Sequence, residues 1–107
     1  MAEQITLQGG SGKQYRYWVY PINTTFKDQP GNYIYAKRDS AGRWQVVYIG
    51  QTSSLSQRLA SHEKEDSIIR HGGATHILAH LSRSALARTD EEVDLIRKYG
   101  PPFNERL

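Results

Sequence analysis

The sequence contains no cysteine, which excludes disulfides, thiolate metal sites and cysteine nucleophiles and leaves oxygen, imidazole and amine groups for any catalysis. It also lacks an apolar run long enough to cross a bilayer, and no signal-like apolar stretch follows Met1-Ala2-Glu3-Gln4. A cytoplasmic (intracellular), soluble protein without membrane contact is the expectation. No internal repeat, low-complexity tract or long linker divides the chain. With 107 residues, one core is possible and two are not, so 1–107 reads as one domain.

What is present is a mild excess of positive charge. The net charge is +3 and the sequence pI about 9.3, a bias that attracts polyanions without identifying one. Lys37, Arg38, Arg43 and Arg58 share a stretch in which Asp39 is the only acid, whereas acids gather at Glu63-Lys64-Glu65-Asp66 and Asp90-Glu91-Glu92. A basic zone facing a small acidic one suits a phosphate and a metal ion.

Gln4 to Leu7 and Gln14 to Tyr20 flank Gly9-Gly10-Ser11-Gly12, which predicts an N-terminal β-hairpin, followed by a loop from Pro21 to Pro30. Asn32 to Lys37 and Trp44 to Ile49 are rich in aromatic and β-branched residues around a turn at Asp39-Ser40-Ala41-Gly42. A turn centred between Ser40 and Ala41 sets Lys37 opposite Trp44 and Tyr33 opposite Tyr48, with both tyrosines on one face. Ser54 and Gln57 have capping-box spacing ahead of a helix from about Leu55 to His62 or beyond. Ala74 to Leu81 reads as a strand, and a last helix runs from Glu91 to Tyr99, ended by Gly100-Pro101-Pro102. The order predicts a mixed α/β (α+β) domain.

Two helices put ionisable residues on their apolar stripes. Leu55, Arg58, Leu59 and His62 share one face of the first helix. In the last helix Leu95, Ile96 and Tyr99 define the stripe, Glu92 lies within it, and Glu91 and Asp94 point elsewhere. Charges removed from water need a partner or a metal, so Arg58, His62 and Glu92 aimed at one sheet suggest a shared polar site. Thr89 and Glu92 also have capping-box spacing, which leaves a purely structural role open for Glu92. His71, His76 and His80 fit no metal-ligand spacing and read as packed or surface side chains.

In order and spacing, Gly31-Asn32-Tyr33, Tyr48-Ile49-Gly50, Arg58, His62, Glu92 and Asn104 resemble the motif set of the GIY-YIG nuclease superfamily. That resemblance runs from about Gly31 to the C-terminus. It implies a small antiparallel sheet flanked by helices as a nuclease core over 30–107, with the hairpin in 1–29 as an extension, and metal-dependent hydrolysis of DNA phosphodiesters.

By resemblance, Glu92 would be the single protein ligand of Mg²⁺ (or Mn²⁺), Tyr33 would activate the attacking water, and Tyr48 would orient water or phosphate. Arg58 would hold the scissile phosphate. Gly31, Gly50 and Asn104 would shape the edge of the site, and Lys37, Arg38 and Arg43 are candidates for contacting nucleic acid. A phenol of pKa about 10 needs help to act as a base near neutrality. In the family a lysine just before the second strand can give it; here Gly42-Arg43-Trp44-Gln45 has none, which makes His62 the alternative relay. The first motif carries Asn32 where isoleucine is usual.

The alternative is a catalytically silent nucleic-acid-binding or partner-binding module of the same fold. No separate DNA-reading domain is expected, so specificity would be low, structure-based, or supplied by a DNA-binding partner protein or a homodimer.

Overall fold

The computed structural model describes residues 3–104; Met1, Ala2 and residues 105–107, which the sequence reading counted in the hairpin extension and the core, lie outside them. The elements are β1 (Glu3–Gln8), β2 (Gln14–Pro21), β3 (Gly31–Arg38), β4 (Trp44–Thr52), α1 (Leu55–Ala60), α2 (Glu65–Arg70), β5 (His76–Leu81) and α3 (Ala85–Tyr99). The strands form one sheet in the order β1-β2-β5-β3-β4, antiparallel at every pairing. The expected N-terminal hairpin therefore extends the sheet alongside β5.

Alternation along β3 divides the core between two faces. Tyr33 and Tyr35 pack with Leu55 and Leu59 of α1 and Ile68 of α2, while Ile34 and Ala36 pack with Leu95 of α3. The two polar stripes of the sequence are thus aimed at one sheet, as expected, but from its opposite faces.

The β3–β4 register differs from the expected one. Tyr33 opposes Gly50 and Tyr35 opposes Tyr48, with a bulge between Tyr35 and Ala36. The turn is longer than supposed: Asp39 accepts hydrogen bonds from the N–H groups of Ala41 and Arg43, and Gly42 takes a φ of 82°. A two-residue slip keeps both tyrosines on one face. The bulge then turns the consecutive residues Val47 and Tyr48 toward the α1 side.

Two helix readings are corrected and one helix is added. Ser54 caps α1 as its spacing implied, but the helix stops at Ala60, so His62 stands in the turn beyond it. Helix α2, six residues long, was unforeseen because it is too short to show a period. Helix α3 begins at Ala85, capped by Ser84, two turns before Glu91. Thr89 and Glu92 are then interior, and the capping-box alternative for Glu92 falls away.

Glu91 and Asp94 do not point elsewhere; both are buried. Asp94 accepts from the N–H and hydroxyl of Ser11 and from Tyr15 Oη. Glu91 accepts from Tyr17 Oη and meets His80 Nε2 at 2.6 Å. The added hairpin widens the surface under α3, so the helix buries a broader arc than its apolar residues mark, while Tyr99 is left 37% exposed. Replacing Tyr17 with Phe should lower stability by roughly 1–3 kcal/mol, because it strips a donor from a buried carboxylate; an unchanged urea midpoint would deny the network a stabilising part.

Candidate active site

Tyr33 is the centre of the cluster. Its ring is buried, and its Oη receives Arg58 Nε at 3.2 Å and lies 3.0 Å from His62 Nε2. The ring rests over Gly50: a Cβ there would come within 2.5 Å of the phenol oxygen, so the glycine of the second motif makes room for the tyrosine of the first. Gly31 does the same for backbone, since a Cβ would meet the His80 carbonyl and Leu55.

The tautomer of His62 follows from its neighbours. The Lys64 backbone N–H approaches Nδ1 at 3.2 Å and can only donate, so the neutral ring carries its proton on Nε2 and donates it to Tyr33. Burial, then the charges of Arg58 and Lys64, lower the His62 pKa to about 4. His62 is therefore held toward its neutral form, in direct contact with Tyr33. Tyr33 Oη accepts from both sides, leaving its own hydrogen to point elsewhere.

Burial raises the Tyr33 pKa, and the Arg58 hydrogen bond opposes that rise. Arg58 is raised in turn, mainly by its bond to Tyr33. Tyr48 stacks on Tyr33 with ring centroids 6.2 Å apart, and the Lys64 ammonium sits 5.6 Å from the Tyr48 ring centroid. Lys64 thus places positive charge at the tyrosines from a position the sequence reading did not single out. Arg58 also lines an open groove of about 330 Å³ with Thr52, Ser53, Ser54, Gln57 and Ser61.

Asn104 fixes the outer edge of β4. Its Oδ1 accepts from the Ile49 N–H at 2.9 Å, and its Nδ2 donates to the Ile49 carbonyl at 2.8 Å. One side chain thereby clamps the residue between Tyr48 and Gly50.

Glu92 stands on α3, the helix packed against the other face of the sheet. At about 100° per residue, Glu91 and Asp94 fall on one flank of α3, toward β2, whereas Glu92 and Ile96 fall on the opposite flank. Arg88, one turn earlier, donates to Gln51 of β4, which puts the Glu92 flank over the edge strand that carries Tyr48 and Gly50. Desolvation alone raises the Glu92 pKa. Among the described residues no hydrogen bond or opposite charge offsets it, so this carboxylate fits a cation. The described residues hold no group of three or more His, Cys, Asp or Glu able to bind a metal ion; one carboxylate with water and substrate oxygens is the donor set available.

The basic residues Lys37, Arg38 and Arg43 do not join the cluster. They stand at the turn end of the hairpin, where Arg38 pairs with Glu3 at 2.8 Å and lies over Trp44, and Arg43 pairs with Asp39. Asn32 points away from Tyr33 as expected and donates to the Arg88 carbonyl.

No family model matches the chain. UvrABC system protein C of Methanothermobacter thermautotrophicus is 32% identical over 87 residues, which span 75% of this chain and 14% of that relative's length. Crystal structures of the GIY-YIG N-terminal endonuclease domain of UvrC from Thermotoga maritima are similar in fold. A tyrosine-to-phenylalanine variant gives a TM-score of 0.59 and an asparagine-to-alanine variant 0.61, both at 25% identity and covering 79% of this chain and 91% of theirs. Both are described as bound to a catalytic divalent cation. Shared topology, the tyrosine cluster and the likeness in sequence place this chain in the GIY-YIG superfamily, with the endonuclease fold of the UvrC domain.

Proposed function

We propose that the chain is a divalent-cation-dependent endonuclease that hydrolyses phosphodiester bonds in DNA. The observation that carries this reading is the doubly donated phenol oxygen of Tyr33, because two N–H donors on one oxygen stabilise negative charge there as it forms. Tyr33, once its own phenol proton has passed to solvent, orients the attacking water and draws its proton as the phenolate; the positive charge of Arg58 and Lys64, which favours that phenolate, stands in for the lysine missing before β4. Arg58 presents its fork of donors to the phosphate from the open groove. His62 holds Tyr33 in place by donating to it. Tyr48, anchored through its neighbour Ile49 by Asn104, orients water or phosphate.

Glu92 would hold Mg²⁺ or Mn²⁺, which supplies Lewis-acid stabilisation of the charge that grows on phosphate oxygens. A DNA-binding partner protein or a second copy of the chain would add sequence specificity.

A cleavage screen over DNA and RNA structures with Mg²⁺ and with Mn²⁺ tests the reading. Glu92→Gln should fold normally by circular dichroism and lose cleavage by about a thousandfold or more; an active variant removes Glu92 from the metal. Tyr33→Phe should lower kcat by roughly 10²–10⁴ with little change in KM, the range for a lost proton-transfer group, and a near-normal rate would exclude the base.

His62 makes a pH prediction of definite sign. Its folded pKa, about 4, lies below the ordinary histidine value of 6.5, so between these values the unfolded chain binds the proton and the folded one does not. Stability should fall as pH drops from about 6.5 to 4, and His62→Gln should flatten that slope in denaturant titrations. An equal slope in both proteins would place the titration elsewhere.

A further inference from the structure

A second concavity, of about 570 Å³, opens on the same sheet face as Tyr33 but outside the cluster. Its walls are β2, the end of β5 and the loop after β2. Trp18, Tyr20, Phe26 and Lys27 line it, and no acidic side chain does. Tyr20 and Phe26 brace each other edge to face, 5.0 Å between centroids, whereas Trp18 stands 40% exposed. Arg16, two residues before Trp18 and so on the same face of β2, adds a second exposed cation.

The cleft is in register with the candidate active site. Trp18 opposes Ala79, Ala79 opposes Tyr33, and Tyr33 opposes Gly50. Two strand spacings therefore separate Trp18 from Tyr33, about 10 Å, the length of about three stacked nucleotides. The two concavities flank the first turn of α1, with Leu55 lining the cleft and Ser54 and Arg58 the groove. The loop wall is tied to that turn: the Ser56 and Leu55 N–H groups donate to the Lys27 and Gln29 carbonyls. Cleft and groove thus share the first turn of α1 as a common support.

We propose that this cleft is a subsite for an unpaired nucleobase on the strand whose phosphate lies at Tyr33 and Arg58; the proposal rests on the nuclease reading of that cluster. An exposed indole offers a stacking face to any base. Thr24, Thr25 and Gln29 offer hydroxyl and amide groups to base edges, and Lys27 offers charge to a neighbouring phosphate. A purely apolar peptide would leave these polar groups without partners. The substrate class that follows is DNA with a flap, bulge or single-stranded end next to the cleaved bond, and the selection for it comes from the N-terminal hairpin.

The test is fluorescence anisotropy with a dye-labelled oligothymidylate strand and a blunt duplex of the same length, at low salt with chelator to prevent cleavage. Trp18→Ala should weaken single-strand binding by about 5- to 100-fold, the range for one lost base stack, and leave duplex binding unchanged. Trp18→Phe, which keeps a stacking face, should remain near the starting affinity and shows that the strand still folds. Trp18→Ala binding of the single strand at full strength, or an equal loss on both probes, overturns the subsite. Cleavage with Mg²⁺ or Mn²⁺ separates the two readings: active protein with Trp18-independent single-strand binding sinks the subsite alone. Trp18-dependent binding without any cleavage sinks the nuclease reading and leaves the subsite standing.

Discussion

Helix α3 is seated on a row of buried polar side chains, and its position sets where the half-buried carboxylate lies. Asn32 of β3 opposes His80 on one side and Gln51 on the other. Above them, Arg88 bonds Gln51 and the Ser82 carbonyl, Asn32 bonds the Arg88 carbonyl, and Glu91 takes His80 and Tyr17. Such a network holds one helix position because sliding the helix would leave several buried polar groups unpaired at once. The usual isoleucine of the first motif is replaced by Asn32 within this row, so the departure belongs to helix seating rather than to the tyrosine cluster. The row is not fully satisfied: Asn32 Oδ1 is buried without a partner, a cost that the other bonds of the row carry.

A second consequence concerns how the site is divided. The sheet separates Tyr33, Arg58 and His62 from the helix that carries Glu92. What connects the halves is β4, an edge strand, with Tyr48 on one face and the flank of α3 over the other. On the proposed reading, a group bound at that edge would meet both layers without any charged side chain having to cross the core. A second carboxylate among the tyrosines would raise their pKa values further, as Glu65 already does for Tyr35 after desolvation.

The fold and the cluster were legible to different depths. Tyr33 and Tyr48 fell on one face despite the wrong register because a two-residue slip preserves strand parity. Arg58 and His62 were found by helical spacing although the helix ends before His62, since the turn beyond continues on the same side. The start of α3 was missed because Ala85 to Asp90 carries no apolar period, and its capping serine has no glutamate or glutamine three residues on. Glu91 and Asp94 were misplaced for a tertiary reason. Of their partners, Tyr17, Ser11 and Tyr15 lie about eighty residues away in the hairpin and His80 lies in β5, and no local pattern encodes that docking. Lys64 was overlooked because it sits in an acidic run and reads as one charge among several.

The Asn104 amide acts toward Ile49 as a neighbouring strand would, donating and accepting at one residue, and Phe103 adds a further bond to the Val47 carbonyl. Exposed strand edges invite other chains to pair with them. The residues after α3 therefore shield this border of the sheet against self-association while holding the tyrosine strand taut. The opposite border, β1, has no such cover among the described residues, so strand-to-strand association between copies would use β1, three strands away from the strand that carries Tyr33.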